Sequence, residues 1–252
     1  MPSAIVTGSD SGIGKATAVA LAGDGFDVGI TWRSDEEGAE GTAKEVRELG
    51  RTALVARLDL AASGAGDRIL ELADGLGGLD VLVSNAGTGE GGPVVNLDLE
   101  TWRQVLEVDL TGGFVVCQAA ARRMIDQGRG GRIITVTSVH EHQPRYGAAA
   151  YCAAKGGLGL FTKCLDLELA EHGITANAVA PGEISTPMTG QHDEDPSEHH
   201  RPDHPLHRPG AAEEVAAVIS FLASAGSSYV TGQSVVVDGG LTLLGPQLGT
   251  RP

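Results

Sequence analysis

Residues Thr7-Gly8-Ser9-Asp10-Ser11-Gly12-Ile13-Gly14 stand between the apolar run Ala4-Ile5-Val6 and a helix-forming run that begins Lys15-Ala16-Thr17-Ala18. An apolar strand, a glycine turn and a helix in that order let backbone amides approach a phosphate with no side chain in the way. The helix dipole favours the anion at the same place. Three residues separate Gly8 from Gly12, so the pattern is T-G-x-x-x-G-x-G rather than G-x-G-x-x-G. At the first strand–helix junction of an α/β chain, such a turn predicts a seat for a dinucleotide pyrophosphate.

Outward from this turn the chain keeps the same rhythm. Strands are expected at Ala4–Thr7, Asp27–Thr31, Thr52–Arg57, Asp80–Ser84, Gly131–Val136, Thr175–Ala180 and Ser234–Asp238, with helical patterns between them. The strands read as continuous apolar runs, which suits a parallel sheet covered by helices on both faces. The expected fold is a doubly wound, Rossmann-type parallel sheet of seven strands flanked by helices, in a single domain over residues 1–252. With 252 residues and 41% hydrophobic content, the chain can bury a sizeable core.

The formal net charge is −15, from 18 Lys and Arg against 33 Asp and Glu. That balance argues against nucleic acid and anionic membrane as partners, because both call for a basic face. No apolar run reaches the ~18 residues that span a bilayer, and the N-terminus has no leader pattern. Cys117, Cys152 and Cys164 are too sparse for a disulfide framework and suit a reducing compartment. A cytoplasmic protein is expected. Thr189–Gly210 is polar, Pro-rich and rich in histidine, and is read as a lid over the active site. His199, His200, Asp203 and His204 are close in sequence, but a Pro-rich loop offers no fixed frame for a metal, so no metal site is expected. Residues 245–252 form a C-terminal tail of no assigned role.

Further motifs follow the glycine turn in order: Asp59-Leu60 after the third strand, Ser84-Asn85-Ala86-Gly87 after the fourth, and Ser138 after the fifth. Next come Tyr151-Cys152-Ala153-Ala154-Lys155 and Pro181-Gly182-Glu183-Ile184-Ser185-Thr186-Pro187. The ordered set, from Ala4 to about Gly240, resembles the compact single-domain branch of the short-chain dehydrogenase/reductase family. Its elements are Y-x-x-x-K, N-N-A-G (with Ser84 for the first Asn) and P-G-x-x-x-T-P. The resemblance implies an oxidoreductase that interconverts a carbonyl and a secondary alcohol, with the hydride carried on a nicotinamide. It implies cofactor contacts at Gly8, Ser11, Gly12, Ile13, Gly14, Asp59, Leu60, Asn85, Ala86, Gly87, Tyr151, Lys155, Pro181, Gly182, Ile184 and Thr186. Lys155 would hold the nicotinamide ribose and Thr186 would lie near the carboxamide. Ser138 would hydrogen-bond the reacting oxygen.

Tyr151 and Lys155 are four apart in a helical pattern and so share a face. A free phenol, with a pKa of about 10, is a poor base near neutrality. A neighbouring ammonium favours its phenolate, and the pair can then exchange a proton with an alcohol or carbonyl. Where the family commonly has an Asn in its long helix, this chain has Asp109. It is taken as a fourth catalytic member that keeps the proton relay with an altered pH profile.

The second strand ends Thr31-Trp32-Arg33-Ser34. Trp32 stands where NAD-preferring members carry an acid. Arg33 suits a phosphate as a fork of donors, and Ser34 adds a hydroxyl, so NADP(H) is favoured over NAD(H). Asp10 and Asp35-Glu36-Glu37 are charges of the opposing sign, the latter suited to opening a helix. The Ser138-Val139-His140-Glu141 string resembles the glucose 1-dehydrogenase-like subgroup. His140, Glu141 and Glu183 are candidate substrate contacts for a small polar or polyhydroxylated carbonyl. The apolar faces around Leu99–Gln127 and Ala149–His172 suggest a homo-oligomer, and by resemblance a tetramer. The rival from another class is a cofactor-binding sensor of the same fold without turnover. A nucleotide-sugar epimerase is disfavoured, because the chain ends soon after Gly240 with no substrate domain.

Overall fold

The computed structural model describes residues 1–243 apart from 90, 191–195 and 203. The expected tail at 245–252, and His192 and Asp203 of the expected lid, lie outside the described residues. Seven strands form one parallel sheet: β1 (Ser3–Val6), β2 (Asp27–Trp32), β3 (Ala53–Arg57), β4 (Val81–Ser84), β5 (Gly131–Val136), β6 (Ile174–Pro181) and β7 (Ser234–Val237). Their order is β3-β2-β1-β4-β5-β6-β7. The helices are α1 (Gly12–Gly23), α2 (Glu36–Glu48), α3 (Ala65–Gly75), α4 (Leu99–Leu106), α5 (Gly113–Gln127), α6 (Ala149–Leu169) and α7 (Ala212–Ala223). The expected strands agree with these to within a residue at each end.

Successive strand residues serve opposite faces. Ala4, Val6, Ile30, Val83 and Ile134 pack against α1, α2 and α7, through Leu21, Val46 and Ile219 among others. Ile5, Leu82 and Ile133 pack on the other face against α3, α5 and α6, through Ile69, Val116, Met124 and Leu165. Both faces are buried, which is why the strands carry no polar alternation. Each large aliphatic side chain so buried contributes about 1.5–3 kcal/mol.

The strand order reverses between β1 and β4, which are hydrogen-bond neighbours. Loops leaving the carboxyl ends of these two strands diverge to opposite faces and open a crevice, the usual ligand site of such sheets. The loop after β1 is the glycine turn, and the loop after β4 is Asn85-Ala86-Gly87. Between α4 and α5 the helix continues through a π-turn, Glu107–Gly112, which holds Asp109. Such turns are rare and favour functional sites.

Candidate functional site

The glycine turn fits an anion. Gly8 and Gly12 have φ of +62° and +52°, conformations that L side chains rarely adopt. A Cβ on Gly14 would lie 2.0 Å from the Gly8 carbonyl oxygen, so the turn admits only glycine there. Ser11 makes no side-chain cap on α1, and the first turn of α1 carries no acid. The amides that open α1 have no helical acceptor. Ser9 fastens the turn from below: the Thr31 amide donates to its Oγ at 3.0 Å, and that hydroxyl donates to the Val6 carbonyl.

Asn85 closes the other side. Its Nδ2 donates to the carbonyls of Thr7 (2.9 Å) and Gly8 (3.0 Å), while the amides of Asn85 and Ala86 donate to Thr7 Oγ1. The segment after β6 meets the same turn, for a Cβ on Gly12 would lie 3.2 Å from Thr186 Cγ2. The three motifs Gly8–Gly14, Asn85–Gly87 and Pro181–Thr186 therefore line one crevice. Asp59 stands exposed at its β3 end and accepts from the Ala61 amide, and Leu60 is buried beside it.

Deeper in, Lys155 is only 4% exposed. Its ammonium donates to the Val136 carbonyl at 3.2 Å, lies 5.6 Å from the Tyr151 ring centroid and 4.0 Å from Asp109 Oδ2. Asp109 Oδ1 accepts from the Thr88 amide at 2.7 Å, while Oδ2 is buried with no hydrogen-bond partner. Burial holds the Asp109 carboxyl above the usual carboxylate range, against the opposing pull of the Lys155 ammonium and the Thr88 amide. Gly87 makes this approach possible, since a Cβ there would sit 3.2 Å from Asp109 Oδ1 and 3.3 Å from Lys155 Nζ.

Ser138 ends the β5 loop, 7% exposed, and its Oγ accepts from the His140 amide at 3.2 Å. A hydroxyl that accepts from the backbone keeps its own proton to donate. The His140 ring meets the Tyr151 ring edge to face at 6.2 Å, and its Nδ1 contacts the Gln143 carbonyl at 3.1 Å.

Two residues expected near substrate have their carboxylates committed within the protein. Glu141 has a side chain 4% exposed; its Oε1 lies 2.8 Å from His142 Nε2 and accepts from Ser234 Oγ on β7, while its Oε2 is buried with no hydrogen-bond partner. Its Oε2 packs where a Cβ on Gly159 of α6 would be. Glu183 accepts from Arg201 Nε and Nη2, both at 2.9 Å, and faces His204 Nε2 at 3.2 Å. Backbone bonds reinforce this junction: the Gly210 amide donates to the Glu183 carbonyl and the Ser185 amide to the Gly210 carbonyl. The described part of the expected lid is thus fastened to the segment that carries Thr186.

Arg57, Arg201 and Thr88 belong to none of the sequence motifs. Arg57 is the register partner of Trp32, its guanidinium lies 5.7 Å from the Trp32 ring centroid, and its Nε donates to the Arg33 carbonyl at 3.1 Å. Only its place at a strand end signalled it. Thr88 acts through its amide, which leaves no mark in sequence. Among the described residues, no cluster of three or more His, Cys, Asp or Glu could hold a metal, and no helix is long and apolar enough to cross a membrane.

A doubly wound parallel sheet with a phosphate-shaped glycine turn and a tyrosine–lysine pair in the crevice defines a nucleotide-dependent oxidoreductase. A family model described as enoyl-(acyl carrier protein) reductase matches residues 8–242. An uncharacterized oxidoreductase, YohF, of Escherichia coli (strain K12) is 51% identical over 245 residues, 97% of each chain. Glucose 1-dehydrogenase of Gluconobacter oxydans is 37% identical over 96% of this chain and 92% of its own. The crystal structure of acetoin dehydrogenase YohF from Salmonella typhimurium superposes with a TM-score of 0.93 at 49% identity, covering 99% of both chains. The chain belongs to the short-chain dehydrogenase/reductase family. It is an oxidoreductase of that family, whose members act on alcohols and carbonyls with NAD(P).

Proposed function

We propose that the protein interconverts a small uncharged hydroxyketone or diketone and its alcohol with NADP(H), using Tyr151 as the proton donor or base. The observation that carries this reading is the stack of Tyr151 ring, Lys155 ammonium and Asp109 carboxylate at the foot of the crevice. When bound, the nicotinamide supplies or takes the hydride, which no side chain can do. Tyr151 exchanges the proton with the substrate oxygen, with the Lys155 ammonium 5.6 Å from its ring centroid. Ser138, held by the His140 amide, donates its free proton to the same oxygen and orients it. Lys155 also holds the ribose, and the α1 amides with Asn85-Ala86-Gly87 and Thr186 seat the rest of the cofactor.

The substrate class rests on two supports. The similar Salmonella protein is an acetoin dehydrogenase by name. Glu141 is buried and bonded through Oε1 to Ser234, Glu183 is paired with Arg201, and His140 is a polar group beside Tyr151. Glu141 and Glu183 are therefore positioning residues, and a cationic or polyhydroxylated substrate lacks its expected acceptors. Arg33 gives the preference for a 2′-phosphate, with Ser34 beside it. The working form is a homo-oligomer that buries the exposed Phe114, Leu160 and Leu167 of α5 and α6.

The test is a screen of NADPH and NADH consumption with diacetyl and acetoin, and of NADP and NAD reduction with glucose and 2,3-butanediol. Turnover of the four-carbon compounds with the phosphorylated cofactor is expected. Turnover of glucose alone would overturn the substrate class, and cofactor binding without turnover of any compound would favour the sensor reading.

A further inference from the structure

The net charge of −15 makes an unpaired cationic pair conspicuous. At the carboxyl ends of β2 and β3, Arg33 and Arg57 are both exposed, and among the described residues neither forms an ion pair with a carboxylate. The two are joined. Arg57 Nε donates to the Arg33 backbone carbonyl at 3.1 Å, which fixes the course of the Arg57 side chain along the end of β2. Its guanidinium lies over Trp32 at 5.7 Å, a cation–π distance that orients the plane while leaving the terminal nitrogens as free donors.

Of the neighbouring acids, Glu36 and Glu37 open the first turn of α2, and two others are held by backbone amides. Asp35 caps α2 by accepting from the Gly38 amide at 2.9 Å. Asp59 accepts from the Ala61 amide at 3.0 Å. Asp10 has its carboxyl raised above the usual range, chiefly by burial, with Asp35 adding repulsion. The carboxyl ends of β2 and β3 thus carry two exposed arginines, with the Arg57 guanidinium held over Trp32. Their fork geometry suits a dianionic phosphate more than a ribose hydroxyl.

We propose that Arg57 is a specificity-determining residue for the ribose 2′-phosphate, acting with Arg33 as a two-guanidinium clamp. The inference rests on the NADP(H) reading above and extends it from β2 to β3. Trp32 is the platform that holds Arg57 in place.

The experiment is calorimetric titration of the wild type, Arg33→Gln, Arg57→Gln and Arg57→Lys with four probes: 2′,5′-ADP, 5′-ADP, NADPH and NADH. Each is titrated at low and at high salt. Arg57 is exposed, so the variants are expected to fold, and their thermal midpoints check this. The wild type should bind 2′,5′-ADP at least tenfold more tightly than 5′-ADP. Arg57→Gln should lower 2′,5′-ADP and NADPH affinity about tenfold and change 5′-ADP and NADH affinity less than twofold. Arg57→Lys should recover part of the loss, as a point charge without the fork. The salt dependence of NADPH binding should shrink in Arg57→Gln. A wild type indifferent to the 2′-phosphate would overturn the NADP(H) reading and this inference together. A preference that survives Arg57→Gln and vanishes in Arg33→Gln would overturn this inference alone. Equal losses for all four probes would also overturn it, since they mark a packing role.

Discussion

Asp109 has one carboxylate oxygen bound to the Thr88 amide and one buried without a hydrogen bond, 4.0 Å from an ammonium. Its carboxyl is raised above the usual range chiefly by burial. A carboxyl raised in the folded state contributes stability at low pH, and that contribution is lost as pH climbs through the folded value. The melting temperature of Asp109→Asn relative to wild type should therefore rise as pH climbs from about 4, the ordinary carboxylate value, through the raised folded value. The acid limb of its pH–rate profile should flatten over the same window. A constant offset in both measurements would mean that Asp109 does not titrate there. At Tyr151, removal of the hydroxyl in Tyr151→Phe should lower kcat at least ~100-fold, the usual worth of a positioned acid–base group. Lys155→Met should cost at least as much, and its NADPH affinity should also fall if Lys155 holds the ribose. Single residues with one dominant chemistry were legible in the sequence. The structure brings Tyr151, Lys155 and Asp109 together and ties Ser138 to His140, whose ring meets that of Tyr151. Glu141 and Glu183 were read from adjacency to motifs, and their partners, Ser234 and Arg201, are 93 and 18 residues away. Adjacency in sequence carries no information about such pairs.

At the scale of elements, the turn from β1 to α1 is the most constrained. Gly14→Ala should break it, because the added carbon would stand 2.0 Å from the Gly8 carbonyl. Loss of measurable binding of both NADPH and NADH is expected, together with a destabilisation of about 1–3 kcal/mol from backbone displacement. Binding retained at wild-type affinity would show that the turn relaxes. The junction of Glu183, Arg201 and His204 ties residues 201–210 to the strand of chain that carries Thr186. Glu183→Gln should raise KM for the carbonyl several-fold with kcat little changed, and cost at most about 1 kcal/mol because the pair is partly exposed. A fall in kcat with KM unchanged would place Glu183 in the chemistry instead. Strand positions were readable because each strand is a short apolar run ended by Gly or polar residues. The π-turn at Glu107–Gly112 was not, since one extra residue per turn barely disturbs helical periodicity. The pairing of Trp32 with Arg57 depends on β2–β3 register, which a single sequence does not display.

For the whole molecule, the fold class followed from the alternation of elements, and the crevice from the reversal of strand order between β1 and β4. Oligomeric state had no such signature, because an apolar helix face reads alike whether it meets a core or a second copy. Phe114, Leu160 and Leu167 are exposed on α5 and α6, and Phe114 meets Phe161 edge to face at 5.6 Å. Light scattering should find a dimer or tetramer, and Leu167→Glu should shift it towards smaller species without unfolding it. A monomeric wild type would contradict the interface. Tyr151 moves the proton while other groups hold the cofactor. The measurement that tests this most directly compares wild type with Tyr151→Phe, following NADPH binding and NADPH consumption with diacetyl on the same samples. NADPH affinity within a few-fold of wild type and consumption lowered at least ~100-fold are expected. Consumption undiminished in Tyr151→Phe, with binding intact, would contradict that role.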